Sequence, residues 1–339
     1  MDRIKVLTPI FACLTVSCTA GSTSVNTALW NGYLEAPREY ASFTRNVRAG
    51  ARYSFQDFDV EVYTQANGPE TSQRLMMAVP KGLKDKAPCV IAPFYFPEAM
   101  LGFNPVDGSF ESEYVSKKTN LTNYACISYM SDLARRGYIT ISADAYHLTY
   151  QDPKNPLPPD PSFSSWKRAG QKLSADWPKW TGVGKLVFDT RLLVDFAVAD
   201  SRVDSSRIGM IGHSLGGKMA FYAGLVDKRV KVVVASDFGL GWTQTNWNDC
   251  WYWGDKLKEV RACGMSNVDL LSMSGGKPFC LIAGKYDDAD SGLLMYSAKG
   301  YEQHPERLLF IHHGTGHRPP PDATKRGYEF LDRYLRRKD

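Results

Sequence analysis

The segment Ile208–Gly217 constrains the fold of this chain more than any other. It reads Ile-Gly-Met-Ile-Gly-His-Ser-Leu-Gly-Gly, an apolar run that ends in Gly-x-Ser-x-Gly, and residues with helical character follow it. A strand that enters a sharp turn and leaves as a helix holds its serine in a strained backbone conformation, which requires small neighbours. Gly212 and Gly216 meet that requirement. The segment predicts a strand–turn–helix unit with Ser214 as a candidate nucleophile, although a glycine-rich turn without chemistry remains an alternative on this motif alone.

The flanking sequence alternates between strand-like and helix-like patterns. The predicted strands are 55–63, 73–79, 88–92, 137–144, 208–213, 230–235, 278–284 and 307–312. The predicted helices are 124–136, 184–199, 218–223 and 328–336. Alternation of this kind predicts an α/β fold with a mostly parallel central sheet and helices on both faces, preceded by an antiparallel strand pair. With 339 residues, of which 43% are hydrophobic, the chain can bury one large core, so we expect a single domain over 21–339 with inserts near 146–180 and 239–273.

A serine nucleophile requires a histidine as its base and a carboxylate that orients the histidine. In this architecture the acid and then the histidine follow the serine along the chain, each in a loop after a strand. Asp287 follows the strand-like run 278–284, and His317 follows a Gly-Thr-Gly loop after the last strand. We therefore predict Asp287 as the acid and His317, exposed on a flexible loop, as the base. Asp237 is the rival acid, because it follows the strand after the nucleophile.

The other histidine beside the nucleophile, His213, is expected to be a buried structural residue that points away from Ser214.

The net charge and the cysteine content narrow the range of possible functions further. A net charge of +5 without a Lys/Arg block does not indicate a nucleic-acid partner. No Cys/His cluster suggests a metal site, and nothing suggests a cofactor. Cys250 and Cys263 are thirteen residues apart, and the sequence leaves open whether they form a disulfide.

The N-terminus is predicted to be a signal peptide over residues 1–20. A short charged start precedes an apolar run from Val6 to Val16, and small residues follow it. Cleavage after Ala20 would release an exported protein, whereas cleavage before Cys18 would leave a lipid-modified cysteine. We therefore expect an exported chain whose contact with a membrane, if any, is an N-terminal lipid anchor. The oligomeric state is left open.

These motifs resemble the α/β-hydrolase superfamily and, within it, exported bacterial esterases related to acetyl xylan esterases and dienelactone hydrolases. The resemblance rests on 133–138 and the strand to Asp144, on 203–217, on the strand that leads to Asp287, and on Gly316-His317. It implies hydrolysis of a carboxylic ester through an acyl-serine intermediate. It also implies an oxyanion hole formed by the backbone N–H of Leu215 and that of Phe94 or Tyr95, where many relatives carry His-Gly instead.

The segment Gly239–Trp253 holds four of the eight tryptophans and follows a strand, so we expect it beside Ser214. Aromatic planes interspersed with amide and carboxylate side chains suit sugar rings, and they equally suit an acyl pocket or a packed lid. Trp242, Trp247 and Trp251 are the predicted substrate-binding residues. The functional hypothesis is a small-molecule or carbohydrate ester as substrate, such as acetylated xylan. The alternatives are a serine peptidase, a dienelactone-type hydrolase and a non-catalytic binding protein.

Overall fold

A computed structural model describes residues 23–108, 127–157 and 163–336 of the chain. The strands are β1 (Val47–Ser54), β2 (Phe58–Ala66), β3 (Ser72–Pro80), β4 (Ala87–Ile91), β5 (Ile139–Ala143), β6 (Val203–His213), β7 (Val230–Ser236), β8 (Phe279–Ala283) and β9 (Leu308–His312). The helices are α1 (Thr23–Leu34), α2 (Arg38–Ala41), α3 (Pro97–Leu101), α4 (Tyr129–Arg135), α5 (Tyr146–Thr149), α6 (Ser164–Asp176), α7 (Gly182–Ala199), α8 (Leu215–Val226), α9 (Lys256–Ala262), α10 (Asn267–Met273), α11 (Ala289–Tyr296) and α12 (Pro321–Leu335), with a 3₁₀ turn at Pro305–Arg307.

The described strands form a nine-stranded sheet in the order β1-β2-β3-β5-β4-β6-β7-β8-β9. From β5 to β9 every neighbouring pair is parallel, and β1, β2 and β3 join antiparallel at one edge. The predicted α/β fold with a mostly parallel sheet is confirmed, as is the antiparallel strand pair. Because the parallel strands have their carboxyl ends along the same edge of the sheet, the loops after β4, β6, β7, β8 and β9 meet at that edge.

Apolar cores cover both faces of the sheet, as expected for parallel strands. Successive residues of β6 point to opposite faces, so that Met210 belongs to one core cluster and Ile211 to the other. Helices α7 and α8 pack on the face of Met210, where Leu193 and Ala220 are buried. Helix α12 packs on the face of Ile211 through Leu331. The two layers hold the β6–α8 turn rigidly between them.

The N-terminal part of the described chain is more ordered than its sequence pattern suggests. The sequence over 22–52 is polar and weakly patterned, whereas residues 23–54 contain α1, α2 and the edge strand β1. Trp30, Leu34 and Tyr40 are each at most 3% exposed and anchor α1 and α2. Trp30 and Leu34 are one helical turn apart and Tyr40 stands alone in α2, so the buried residues are too few to form a recognisable period in the sequence.

The two predicted inserts also contain short helices. The first, near 146–180, carries α5 and α6, and the second, near 239–273, carries α9 and α10. No disulfide joins Cys250 and Cys263 in the second insert, which answers the question that the sequence left open. The predicted signal peptide, with Cys18, and the start of the helix predicted over 124–136 lie outside the described residues. Within the described ranges, no helix combines the length and apolarity needed to cross a bilayer.

Candidate active site

Ser214 lies at the junction of β6 and α8 in a strained backbone conformation. Its φ is 54° and its ψ is −117°, a region that residues with a side chain rarely occupy. Its backbone N–H donates to the carbonyl of Ser236 at the end of β7, 2.8 Å away. A Cβ on Gly212 would lie 1.9 Å from the carbonyl oxygen of Gly216, so this turn tolerates only glycine there. The strand–turn–helix unit predicted from the sequence is present.

The loop after β4 lies directly against this turn. A Cβ on Gly216 would come within 2.1 Å of the carbonyl oxygen of Pro93. Phe94 is fully buried beneath the turn, and Tyr95 lines the same pocket as Ser214. Leu215 is the first residue of α8, where backbone N–H groups have no acceptor within the helix. The two segments predicted to supply oxyanion donors are therefore neighbours.

His317 lies in the loop after β9 and is 8% exposed. The expectation of an exposed histidine on a flexible loop was wrong, because neighbouring rings cover it. The ring of His213 packs against it with centroids 4.4 Å apart, and the ring of Tyr286 packs edge-on at 4.8 Å. His213 is itself fully buried and pairs through Nδ1 with the Ser236 hydroxyl at 3.2 Å, in line with the structural role predicted for it.

The carboxylate that contacts His317 belongs to Asp237. Its Oδ2 lies 2.5 Å from His317 Nδ1, and both groups are buried. This corrects the prediction of Asp287 as the acid in favour of the rival that the sequence left open. Asp287 instead accepts the backbone N–H groups of Gly239 and Leu240, at 2.9 and 2.7 Å. Both carboxylates follow strands at the same sheet edge, and only the path of each loop distinguishes them.

The surroundings of Asp237 favour its ionised form. Burial raises the pKa of this carboxyl, but the hydrogen bonds from His317 and from backbone N–H groups outweigh burial and hold the pKa below its usual range. Asp287 shows the opposite balance, since burial raises its pKa to about 6 although N–H groups of Leu240 and Gly239 oppose the shift. Asp237 is therefore held as an anion in direct contact with His317 Nδ1.

A pocket of about 470 Å³ opens over Ser214 and Asp237. The first insert, near 146–180, contributes Trp166, whose ring stacks on that of His147 with centroids 4.0 Å apart. The second insert, near 239–273, contributes Trp251 to the same pocket, and the Trp251 ring stacks on that of Phe163 with centroids 6.0 Å apart.

The wall that carries Trp251 is fixed to the body of the protein. The Tyr146 hydroxyl donates to the Trp251 carbonyl at 2.8 Å. A Cβ on Gly182 would lie 2.2 Å from the same carbonyl oxygen, and one on Gly170 would lie 2.9 Å from the backbone of Cys250. Contacts this close pack the backbone of residues 250–251 directly against α6 and α7.

Two of the three tryptophans predicted to bind substrate lie elsewhere. Trp247 is fully buried and donates through Nε1 to the Gly239 carbonyl at 2.9 Å. Trp242 donates to the Met265 carbonyl at 2.8 Å and packs edge-on against Trp247. Of the three, the pocket wall includes Trp251. The structure corrects the prediction for Trp242 and Trp247, which form the packed core of the insert, because sequence proximity to a pocket does not determine which way a side chain points.

Lys218 lines the pocket and was not predicted from the sequence. Its ammonium lies 4.5 Å from the ring centroid of Trp247 and 4.9 Å from that of Tyr252. Burial lowers its pKa to about 7, although Asp287 is the first of three carboxylates that oppose the shift. The available signal was its spacing, since a residue four after Ser214 lies one helical turn away on the same face. A cation at the pocket floor suits an anionic or hydroxyl-rich ligand.

Among the residues that the structure describes, no group of three or more His, Cys, Asp or Glu side chains could hold a metal ion. The described site combines a strained serine, a histidine paired with a carboxylate, and backbone N–H groups that donate to that carboxylate.

The chain matches no protein-family model and no curated protein sequence. It is similar in structure to a glucuronoyl esterase from Solibacter usitatus, with a TM-score of 0.67, 13% identity and 91% of each chain covered. It is also similar to a CE15 glucuronoyl esterase from Teredinibacter turnerae T7901, with a TM-score of 0.64, 17% identity, and 91% and 84% covered. Acetyl xylan esterase 1 from Thermoanaerobacterium sp. JW/SL YS485 gives a TM-score of 0.55, 15% identity, and 90% and 92% covered. At these identities the similarity concerns the backbone, and it establishes that the chain has the α/β-hydrolase fold.

Proposed function

We propose that this protein is a serine esterase that cleaves carboxylic esters borne by carbohydrate. The observation that carries the proposal is the pairing of His317 with the buried Asp237 beside the strained Ser214 turn. A histidine held by an ionised carboxylate can accept a proton from a hydroxyl group, which makes the serine nucleophilic. The pocket over Ser214 provides room for an ester of moderate size.

In the proposed reaction, Ser214 Oγ attacks the ester carbonyl while His317 takes the serine proton. The backbone N–H of Leu215 and that of Phe94 or Tyr95 stabilise the negative oxygen of the tetrahedral intermediate. As this intermediate collapses, His317 gives the proton to the departing alcohol and an acyl-serine remains. Water then attacks the acyl group with His317 as base, which releases the acid and restores Ser214.

The carbohydrate part of the proposal rests on the composition of the pocket wall. Trp251 offers an aromatic plane, Thr243 and Asn246 offer hydrogen bonds, and Lys218 offers a cation. Aromatic planes with polar groups between them suit the alternating C–H and O–H surfaces of a sugar ring. The structural neighbours carry two relevant names, acetyl xylan esterase and glucuronoyl esterase. These names suggest esters of sugar hydroxyls and esters of a sugar acid as the two substrates to test.

The test compares three substrates: an acetylated xylo-oligosaccharide, a methyl ester of glucuronic acid and an artificial acetyl ester. Each is assayed with the wild-type chain and with Ser214→Ala, whose fold is checked by circular dichroism. Hydrolysis of either sugar ester by the wild type alone supports the proposal. Cleavage of the artificial ester alone would support the esterase activity and contradict a carbohydrate ester as its substrate. No hydrolysis and no labelling of Ser214 by a fluorophosphonate would overturn the enzymatic proposal.

We also propose that the chain is exported and that residues 21–339 form one domain. The charged start, apolar run and small residues within the first twenty positions support export. Mass spectrometry of the mature protein separates the two processing routes, because a lipid-modified Cys18 and a free N-terminus after Ala20 differ in mass. A mature chain that retains residue 1 would contradict the proposal of a cleaved signal peptide.

A further inference from the structure

The loops after β7 and β8 exchange hydrogen bonds through two buried carboxylates. The Asp237 carboxylate accepts four consecutive backbone N–H groups from the loop after β8, which belong to Gly284, Lys285, Tyr286 and Asp287 at 2.8–3.0 Å. With His317 added, both oxygens of Asp237 are fully engaged. The loop after β8 thus holds the carboxylate that orients the histidine.

The loop after β7 in turn donates backbone N–H groups to a carboxylate of the loop after β8. The Asp287 carboxylate accepts the N–H groups of Gly239 and Leu240, which follow Asp237 by two and three residues. Asp237 and Gly239 both have positive φ, 43° and 83°. Positive φ at a residue with a side chain costs free energy and persists only when the surroundings enforce it. The two N–H bonds to Asp287 are the enforcing contacts on the C-terminal side of Asp237.

We propose that Asp287 is a positioning residue, whose carboxylate holds residues 237–240 in the conformation that presents Asp237 to His317. This inference rests on the proposed function and deepens it. Asp287 acts through Asp237, since the acid that contacts the histidine is Asp237. A carboxylate suits this role because it offers two acceptor oxygens to two diverging N–H groups. An asparagine offers one oxygen, so one buried N–H would face an NH₂ group and lose its acceptor.

The position of Asp287 is costly, which argues that its contacts are needed. It is 0% exposed, and burial together with the nearby charge of Asp237 raises its pKa to about 6. A leucine of similar size would avoid this cost but would leave the Gly239 and Leu240 N–H groups without acceptors. The strained loop would then relax, and Asp237 would move relative to His317.

A double-variant cycle tests the proposal in the full chain. Asp237→Asn is expected to lower kcat by about 10⁴-fold because it favours the wrong histidine tautomer. Asp287→Asn is expected to lower kcat by about 10- to 100-fold with KM nearly unchanged, as for a small misplacement of a reacting group. The double variant should be no slower than Asp237→Asn, because Asp287 acts only through Asp237. Additive losses, or an unchanged kcat in Asp287→Asn, would overturn the proposal.

A spectroscopic measurement serves if a variant folds poorly or if the wild type hydrolyses no ester. The proton shared by His317 Nδ1 and Asp237 should give a low-field proton resonance, identified by its loss in His317→Gln. It should disappear in Asp237→Asn and shift or broaden in Asp287→Asn. Asp269→Asn is the matched control, because that carboxylate also accepts a backbone N–H, from Ser266 at 2.7 Å, but lies in the capping box of α10. A resonance that is identical in Asp287→Asn and the wild type would refute the positioning role even if the esterase proposal fails.

Discussion

His317 Nδ1 lies 2.5 Å from Asp237 Oδ2, although the two residues are 80 positions apart in the chain. The pairing spans one strand of the sheet, β8, because Asp237 follows β7 and His317 follows β9. The loop after β8 lies between them and donates its backbone N–H groups to the same carboxylate. Because these contacts already fix the geometry of His317 and Asp237, a proton transfer at His317 would need little reorganisation.

The first prediction ranks the two carboxylates. Under esterase assay conditions, Asp237→Asn should reduce kcat far more than Asp287→Asn, because the group that contacts His317 is Asp237. The measurement is kcat on an artificial acetyl ester, with folding checked by thermal unfolding. A tolerated Asp237→Asn beside an inactive Asp287→Asn would return the acid role to Asp287.

The second prediction concerns the contact between the nucleophile turn and the loop after β4. Gly216→Ala would place a methyl group 2.1 Å from the Pro93 carbonyl oxygen. We expect a loss of stability of about 1–3 kcal/mol from overpacking, together with a fall in kcat as the Phe94 and Tyr95 N–H groups move. Thermal unfolding and kcat are measured together.

Gly32→Ala is the matched control for this change. Gly32 lies within α1 and a Cβ there meets nothing within 4 Å. Replacing a glycine inside a helix by alanine is expected to be neutral or stabilising by about 0.5–1 kcal/mol. Equal behaviour of the two alanine variants would contradict the close approach at Gly216.

The third prediction follows from the lowered pKa of Lys218. Burial brings this pKa to about 7, so the ammonium loses its proton as the pH rises from 6 to 8. If the cation contacts substrate, KM should rise over this range in the wild type and stay flat in Lys218→Met. Steady-state kinetics at constant ionic strength measure both. Parallel pH profiles for KM would show that Lys218 does not bind substrate.

Stability should respond to the same group with a defined sign. The folded state gives up the Lys218 proton near pH 7, whereas an unfolded lysine holds it to about pH 10.4. Between these values the unfolded state binds more protons, so the stability of the wild type relative to Lys218→Met should increase with pH. The measurement is the melting temperature of the wild type minus that of Lys218→Met, at pH 7 and at pH 9. A value at pH 9 that is equal to or lower than the value at pH 7 would contradict the lowered pKa of Lys218.

The fourth prediction separates the tryptophan at the pocket from those in the insert core. Trp251→Ala should raise KM for a sugar ester with only a small change in melting temperature, because Trp251 lines the pocket and is partly exposed. Trp247→Ala should lose about 3–5 kcal/mol of stability, as for other large-to-small changes in a core. Kinetics and thermal unfolding of both variants provide the comparison. A stable Trp247→Ala, or an unstable Trp251→Ala, would reverse the assignment.

Local sequence patterns were sufficient for eight of the nine described strands and for the serine turn, whereas the edge strand β1 was not predicted. The first residues of β2 alternate in polarity, and β4, β7 and β8 are short apolar runs, so their patterns report burial directly. The Gly-x-Ser-x-Gly segment predicts its own turn, because the steric demands of that turn act between Gly212, Ser214 and Gly216. Residues 23–54 were predicted less well, since Trp30, Leu34 and Tyr40 are too few apolar anchors to form a recognisable period.

The sequence by itself determined the fold class, the strand–turn–helix unit at Ser214 and the position of His317 in a loop after the last strand, because each depends on interactions between neighbours in the chain or on the order of strands. Only the tertiary structure decided which carboxylate faces His317, that Trp251 rather than Trp242 or Trp247 lines the pocket, and that Lys218 lies at its floor. These are relations between loops that meet at one sheet edge from distant parts of the chain. Asp237 and Asp287 follow adjacent parallel strands, and their roles diverge through backbone hydrogen bonds. The amino-acid sequence does not reveal these bonds, because every residue except proline has the same backbone N–H group to donate.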